Sequence, residues 1–436
     1  MQQRFRFKDS SDLLLKAKEL GLILPYSEDI SPLLEPAFLN GKKITNRLIV
    51  QPMEGYDSET DGSPSEFTKR RYHRYSAGGS GLIWFEAIAV RKDGRSNPGQ
   101  LMLKPGNVSQ YKKLINEIRD LAPSGTNPFL VAQITHSGRY SRPEGTPHPL
   151  VPQKNKILDK GSPVVLTDKE LIEIQNDMID ASRLAFQAGF DAVDIKACHG
   201  YLVHELLSSS DRENSLYGGP DPGTRFRFLL ETIDRIKDEI PGFTVTARLN
   251  ISDLYSGGFG TGLDGMTPDL VEPLNLISEI RKRGVRLINI TMGSPYYNPF
   301  VVRPFDTPLP GASAPEEHPM QGVVRMIENT AIVQNKFPDM FIVGSAYSWL
   351  RQFAPNVGAA VIASGNASFI GFGRSSFAYP EMPLDLIKYG KADPGKVCIT
   401  CSGCTRLINN LLPGGCVTRD REIYGEELKK LVRNGV

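Results

Sequence analysis

The sequence predicts a (β/α)₈ TIM barrel, and three observations lead to that fold class. Eight short apolar runs follow one another from about residue 44 onward. Sequence with helical periodicity lies between them, which is the alternation of a parallel sheet. Four long insertions, at 138–166, 208–224, 251–266 and 292–317, each follow a predicted strand, on the side where barrels build their active sites. A doubly wound sheet is the alternative, but no glycine-rich fingerprint follows its first strand at Met53.

The elements of the barrel are predicted in the following order. The eight strands are 47–53, 81–90, 128–134, 192–196, 243–249, 286–291, 340–343 and 368–372. The helices are 67–76, 111–121, 168–188, 225–240, 270–283 and 326–336. The seventh interval has the weakest helical pattern, at 349–353 and 358–363.

Three segments make up the predicted domain organisation. Residues 1–40 form an N-terminal extension with an amphipathic stretch at 12–20, residues 41–390 form the barrel, and residues 391–436 form a cysteine-rich segment. A chain of 436 residues can bury a core of this size as a single barrel unit.

Composition excludes some classes of function. The net charge of +2 provides no field that favours nucleic acid or an anionic membrane. No apolar run reaches the roughly 18 residues of a membrane-spanning helix, and the N-terminus is too polar for a signal peptide. We therefore expect a cytoplasmic protein with neither nucleic acid nor membrane as partner.

Four of the five cysteines lie close together near the C-terminal end of the sequence: Cys398, Cys401, Cys404 and Cys416. In a chain without a secretion signal, such clustering favours metal ligation over disulfide bonds.

The candidate catalytic residues follow the fourth predicted strand. Lys196, Cys198, His199 and Tyr201 lie within six positions, at the end of an apolar run. A buried strand that ends in groups able to carry a proton or a charge is typical of the catalytic rim of a barrel. Cys198 is expected to pack in the barrel as a small apolar residue rather than as a reactive thiol.

Polar side chains also end other predicted strands. Gln133 ends the third strand, and Arg248 ends the fifth, where a charge needs a polar or anionic partner. Glycines at 371 and 373, Arg374 and the pair Gly344–Ser345 end the last two strands and indicate a phosphate site. The alternatives are a structural ion pair for Arg248 and a tight turn with a solvated Arg374.

Four motifs in order resemble the Old Yellow Enzyme family of FMN-dependent oxidoreductases over about residues 35–420. They are NRLIVQPM at 46–53, AQITHSGR at 132–139, HGYL at 199–202 with Arg212 and YGG at 217–219 downstream, and GFGR at 371–374.

The resemblance implies an FMN site. Pro52, Met53 and Ala87 would line the flavin, and Gln133 and Arg248 would bind its pyrimidine edge, where a cation stabilises the reduced ring. The phosphate would be held by Gly344, Ser345, Gly373 and Arg374. Glu54 departs from the family, which usually has a small residue or cysteine there. Its carboxylate would either bind substrate beside the flavin or belong to a polar network.

The resemblance also implies a reaction, the reduction of an activated C=C bond of the enoate or enone type by hydride transfer from FMN N5. Tyr201 would donate the proton to the other carbon, and His199 and Lys196 would grip the activating group. Lys196 departs from the His/Asn pair of the family and favours an anionic substrate, unless it pairs with Asp194 or Glu86. NAD(P)H is the expected electron donor.

The cysteine spacing, C-x2-C-x2-C-x11-C, resembles the 2,4-dienoyl-CoA reductase-like branch of the family, in which cysteines here bind a [4Fe-4S] cluster. That branch has three residues between its second and third cysteines, whereas this sequence has two. Zinc held by four thiolates is the alternative. The branch continues into an FAD/NAD-binding domain, but only 20 residues follow Cys416, so we expect a separate electron-donor protein, unless the cluster is structural.

Other functions stay open at this point. An amine dehydrogenase or demethylase would run the same flavin oxidatively. An RNA-modifying flavin barrel such as a dihydrouridine synthase is disfavoured, because a basic module is missing. A barrel without cofactor and catalysis is a further alternative, and assembly into a homo-oligomer is left open.

Overall fold

A closed barrel of eight parallel strands forms the centre of the molecule and confirms the predicted fold class. The computed structural model describes residues 5–433. Residues 1–4 of the predicted N-terminal extension and residues 434–436 of the predicted cysteine-rich segment lie outside the described residues. The domain boundaries at residues 40 and 390 remain predictions.

In chain order the strands are β1 (Ala37–Leu39), β2 (Lys42–Ile44), β3 (Leu48–Val50), β4 (Leu82–Ala89), β5 (Phe129–Thr135), β6 (Leu150–Val151), β7 (Val164–Val165), β8 (Ala192–Ala197), β9 (Thr244–Asn250), β10 (Leu287–Thr291), β11 (Phe341–Gly344) and β12 (Phe369–Phe372). The barrel closes in the order β10-β11-β12-β3-β4-β5-β8-β9. Each barrel strand overlaps one of the eight predicted runs. Most residues of these runs are apolar because strands of a helix-covered parallel sheet are buried on both faces.

Helices cover the outside of the barrel. They are α1 (Ser10–Glu19), α2 (Ser31–Leu34), α3 (Glu66–Ala77), α4 (Val108–Asp120), α5 (Asp168–Ala188), α6 (Leu202–Leu207), α7 (Pro222–Glu239), α8 (Val271–Lys282), α9 (Pro299–Val302), α10 (Pro319–Lys336), α11 (Ala354–Ala363), α12 (Arg374–Ala378), α13 (Met382–Tyr389), α14 (Gly403–Asn409) and α15 (Glu426–Arg433). The largest group of buried apolar side chains packs between the strands and α3, α4, α5, α7 and α8. Among residues 5–433, no helix is long and apolar enough to cross a membrane.

The end signals of α5 explain why its predicted bounds are confirmed. Thr167 caps the first turn and exchanges hydrogen bonds with Glu170, a capping box. Gly189 ends the helix at a φ of +98°, a left-handed conformation that glycine adopts without strain.

Segments near both ends of the described residues pack on the barrel. Leu13 and Ala17 of α1 are buried beside Trp349 and Phe353 of the seventh unit. Near the other end, the Asp420 carboxylate accepts hydrogen bonds from Arg70 (2.7 and 3.1 Å) and Arg74 (2.8 Å) of α3. The cysteine-rich segment is thereby held against the first helix of the barrel.

Candidate active site

A cleft opens at the carboxyl ends of the barrel strands and contains about 1180 Å³ of space without protein atoms, its mouth included. Parallel strands bring their carboxyl ends to one rim, so residues distant in sequence meet there. Residues at or after the carboxyl ends of seven of the barrel strands line it, among them Gln51, Pro52, Met53, Glu54, Gln133, Lys196, His199, Tyr201, Arg248, Ser345, Gly373 and Arg374.

Two of the predicted cofactor residues do not line this cleft. Ala87 lies in β4 and pairs with Gln133 of β5, and its carbonyl accepts a hydrogen bond from Gln100. Gly344 ends β11, where an added Cβ would lie 2.8 Å from the Tyr347 hydroxyl. The other predicted catalytic and cofactor residues come together in the cleft, while their roles remain predictions.

A tight turn between β8 and α6 carries His199 and Tyr201. His199 adopts a left-handed φ of +63°, and its Nε2 lies 3.3 Å from the Thr291 hydroxyl. Desolvation and the nearby cations Arg248 and Lys196 hold the pKa of His199 well below its ordinary value. The imidazole is therefore neutral at pH 7 and has one N–H to donate.

The Glu54 carboxylate joins the two other candidate catalytic residues. Its Oε1 accepts a hydrogen bond from the Tyr201 hydroxyl (2.7 Å) and from Lys196 Nζ (3.1 Å). Its Oε2 accepts one from the Ser96 hydroxyl (2.7 Å). Glu54 was expected either to bind substrate or to belong to a polar network. The structure shows the polar network, and it lies on the cleft wall.

The alternative pairing of Lys196 with Asp194 or Glu86 is wrong, because both carboxylates are already engaged. Asp194 accepts hydrogen bonds from Trp84 Nε1 (2.7 Å), Gln133 Nε2 (2.5 Å) and the backbone N–H of Arg248 (2.6 Å). The carboxylate of Glu86 accepts from Arg71 (2.5 Å) and from the backbone N–H of Gly55 (2.7 Å). Lys196 is thus paired with Glu54, and its charge is balanced.

The Tyr201 phenol is protonated at neutral pH. Burial, and next the carboxylate of Glu54, raise the pKa of Tyr201 well above its ordinary value. Lys196 Nζ lies 3.5 Å from the centre of the Tyr201 ring, a cation–π contact that would stabilise a phenolate. The hydroxyl also lies 3.1 Å from that of Tyr296.

Asp194 organises the opposite wall. Through the hydrogen bonds described above it fixes the Gln133 amide and the backbone of Arg248, while burial raises its pKa to about 6. The Nε of Arg248 is buried without a hydrogen-bond partner among the described residues. A buried, unpartnered donor costs free energy unless a ligand satisfies it, so this wall fits a polar ring edge.

The rim formed by β11 and β12 fits an anion. Arg374 Nη2 donates to the Pro304 carbonyl (2.7 Å), whereas its buried Nη1 has no partner among the described residues. An added Cβ at Gly373 would lie 2.9 Å from Met53 Sδ. Glycine therefore lets this backbone pack closely against Met53, and Ser345 lines the same cleft.

All four clustered cysteines line one cavity of about 320 Å³, directly behind Arg374. Backbone N–H groups of Thr400 and Arg419 donate to the sulfurs of Cys398 and Cys416, each at 3.4 Å. Within residues 5–433, however, no three His, Cys, Asp or Glu side chains are grouped so that they could hold one metal ion. The fifth cysteine, Cys198, is buried in the barrel, and burial raises its pKa to about 11.

Several lining residues were not predicted, among them Tyr56, Tyr296, Arg303 and Asn409. Tyr296 belongs to the insertion at 292–317, and its ring stacks on Tyr140 at 3.7 Å. The position of this insertion after a barrel strand is a signal for the active-site side. It does not indicate which of its residues reach the cleft.

The Glu54–Lys196 pair should show energetic coupling. We expect Glu54→Gln and Lys196→Met each to lower the free energy of unfolding, because each leaves the other group as an uncompensated charge in a largely buried place. The double variant should lose less than the sum, with a coupling of about 1–3 kcal/mol. Urea unfolding of the four proteins measures this.

The exposed pair Lys16–Glu19 of α1 is the matched control, with a coupling of about 0.2–1 kcal/mol. Additive losses at positions 54 and 196, within about 0.5 kcal/mol, would contradict the pairing.

Comparison with known proteins places this geometry among flavin enzymes. Residues 32–294 match the NADH:flavin oxidoreductase / NADH oxidase family. An NADPH dehydrogenase of Bacillus subtilis is 29% identical over 267 residues, which are 60% of this chain and 73% of that protein.

Two solved structures have the same fold. A 2-naphthoyl-CoA reductase in complex with 2-naphthoyl-CoA superposes with a TM-score of 0.73 at 21% identity, over 92% of this chain and 58% of that one. Histamine dehydrogenase from Rhizobium sp. 4-9 superposes with a TM-score of 0.67 at 17% identity, over 89% of this chain and 52% of that one. This chain therefore spans little more than half the length of either enzyme.

Proposed function

The chain belongs to the NADH:flavin oxidoreductase / NADH oxidase family, and from this membership we propose that it reduces an activated C=C bond of a small enoate- or enone-type substrate. The observation that carries the proposal is the buried Tyr201 hydroxyl, which shares one cleft with Gln133 and with Arg248, whose Nε has no partner among the described residues. A proton donor and a wall suited to a flavin ring therefore face the same space.

FMN is the cofactor that these residues fit. Pro52, Met53 and Glu54 would lie along its ring, Gln133 and Arg248 would bind the pyrimidine edge, and Ser345, Gly373 and Arg374 would hold the phosphate. The unpartnered Nε of Arg248 and Nη1 of Arg374 support this assignment. Ala87 and Gly344 would act from behind the lining, by shaping β4 and β11. When bound there and reduced by NAD(P)H, FMN would supply hydride-transfer chemistry beside the substrate.

Tyr201 gives its proton to the other carbon of the double bond, so that one hydride and one proton saturate the C=C bond. The Lys196 cation over the ring stabilises the phenolate that forms. The neutral His199 donates a hydrogen bond to the activating carbonyl oxygen and polarises it.

An anionic substrate remains a proposal, and Lys196 now gives it less support. Its charge is balanced by Glu54 at 3.1 Å, so an added carboxylate would have to compete with an existing partner. Lys196 acts on Tyr201 rather than on a substrate anion.

We assign the four cysteines to a [4Fe-4S] cluster, as in the 2,4-dienoyl-CoA reductase-like branch, with zinc as the alternative. One shared cavity and N–H groups directed at two sulfurs support a cluster. A single zinc ion with Zn–S bonds of about 2.3 Å needs closely grouped thiolates, and the described residues contain no such group of three. The cluster would carry electrons from a separate donor protein.

The second candidate function is the oxidation of an amine at the same flavin site. The Glu54 carboxylate favours it, because it accepts the hydrogen of Tyr201 and could take up the proton that an oxidation releases. An RNA substrate and a membrane partner are not supported by the net charge of +2.

The visible absorption of the purified protein and two anaerobic mixing experiments test the function. We expect flavin bands and a broad cluster shoulder, bleaching of the flavin by NADH or NADPH, and its reoxidation by an α,β-unsaturated acid or ketone.

Three outcomes would contradict parts of the proposed function. Bleaching of the oxidised flavin by amines, without reoxidation by unsaturated compounds, would select the second candidate. Flavin bands without iron would remove the cluster alone. A colourless protein with bound zinc would overturn both the flavin and the cluster.

A further inference from the structure

The turn that carries His199 and Tyr201 is held from beneath by a buried polar network. His199 and Gly200 both adopt left-handed φ angles, +63° and +75°. An added Cβ at Gly200 would lie 2.9 Å from the ring of Tyr140. Two consecutive left-handed residues are uncommon outside tight turns, so this conformation needs support from its surroundings.

Two side chains accept hydrogen bonds from two backbone N–H groups of this turn. The His199 N–H donates to Asn250 Oδ1 (3.2 Å), and the Gly200 N–H donates to His204 Nδ1 (2.8 Å). Neither N–H belongs to the β8 ladder or to α6. Asn250 therefore fixes the peptide that precedes His199, and His204 fixes the peptide that follows it, on the way to Tyr201.

Both of these side chains converge on the Asp253 carboxylate. Asn250 Nδ2 donates to Asp253 Oδ1 (2.7 Å), and His204 Nε2 lies 3.0 Å from the same oxygen, a close contact without hydrogen-bond geometry. Because Nδ1 of His204 accepts the Gly200 N–H, the ring proton lies on Nε2, which faces Asp253. The other oxygen, Oδ2, accepts the backbone N–H of Phe259 (2.8 Å).

The network has no direct access to the cleft. Asp253, Asn250 and His204 are each at most 2% exposed, and none of them lines the cleft. Their effect on the reaction must therefore pass through the turn.

We infer that His204, whose Nδ1 accepts the Gly200 N–H, is a positioning residue that sets the place of Tyr201 and His199 against the substrate. The inference rests on the proposed function of Tyr201 as proton donor. A displacement of about 1 Å at a reacting group can lower a rate on the order of 10²-fold, so loss of this support should act on substrate reduction.

Two substitutions at one position test the inference. His204→Leu removes the acceptor for the Gly200 N–H, whereas His204→Asn places an oxygen acceptor close to where Nδ1 lies. Gln175→Leu is the matched control, since Gln175 is equally buried but hydrogen-bonds between α5 and α7, to the Phe228 carbonyl and the Thr232 hydroxyl. FMN content, melting temperature, flavin reduction by NAD(P)H and substrate reduction are measured for the holoenzymes, and His204→Leu is crystallised.

We expect His204→Leu to move the Tyr201 hydroxyl out of contact with Glu54 and to slow substrate reduction on the order of 10²-fold. Flavin reduction should stay unchanged, and His204→Asn should recover most of the lost rate. The inference is overturned if Tyr201 stays in place and the rates fall no further than in Gln175→Leu. If the wild-type enzyme reduces no unsaturated compound, the proposed function fails, and the position of Tyr201 in the His204→Leu crystal alone decides the positioning role.

Discussion

Replacement of Tyr201 by phenylalanine is expected to slow substrate reduction by roughly 10²- to 10⁴-fold, the usual contribution of a positioned general acid. The change removes one hydroxyl and keeps the ring that packs beneath Lys196. Reduction of the flavin by NAD(P)H needs no proton from this phenol and should keep its rate. Anaerobic stopped-flow measurement of the two half-reactions gives both numbers.

Tyr296→Phe is the matched control, because the Tyr296 hydroxyl lies 3.1 Å from that of Tyr201. It should lower the rate of substrate reduction far less. Equal losses in both half-reactions of Tyr201→Phe would show that Tyr201 has another role. A larger loss in Tyr296→Phe would assign the proton to Tyr296.

Replacement of Cys401 by serine is expected to remove the iron–sulfur cluster. Wild-type protein purified without oxygen should contain about four iron and four sulfide per chain, as for any [4Fe-4S] centre. The variant should retain less than about one iron, because loss of one of four thiolates leaves the cluster incompletely ligated. Elemental analysis with sulfide determination measures both.

Cys198→Ser provides the control, since Cys198 lies in the barrel and not in the cysteine cavity. Its iron content should equal that of the wild type. About one zinc and no iron in the wild-type protein would contradict the cluster and select the zinc alternative. Unchanged iron in Cys401→Ser would place the cluster on other ligands.

Most of the barrel could be predicted because its strands are rich in apolar residues and its helices alternate with them. The bounds of individual strands and helices could be predicted less well, because local contacts set them. β3 was predicted over 47–53 but ends at Val50, because the backbone then leaves the sheet to line the cleft. α10 was predicted from residue 326 but begins at Pro319, where His318 caps the first turn and proline suits the first helical position.

The residues of the site could be predicted as types at strand ends, but their pairings could not. Glu54 and Lys196 are separated by 142 positions, and only closure of the barrel brings them together. Asp194 lies nearer to Lys196 in sequence, and Glu86 lies on a neighbouring part of the rim. Both carboxylates, however, already accept hydrogen bonds, Asp194 from tryptophan and glutamine side chains and Glu86 from an arginine. A single sequence does not show which carboxylate is left available to pair with Lys196.

The shared oxygen of Glu54 also restricts how this cleft can change over evolutionary time. A sequence that acquires a lysine at position 196 before an acid at position 54 passes through an intermediate with an uncompensated ammonium beside the flavin wall, and the reverse order leaves a lone carboxylate there. The two positions should therefore covary among homologues, with both charged or both neutral. Transplanting either residue alone into a relative with neutral side chains at both positions should give a poorly folding enzyme, whereas transplanting the pair should be tolerated.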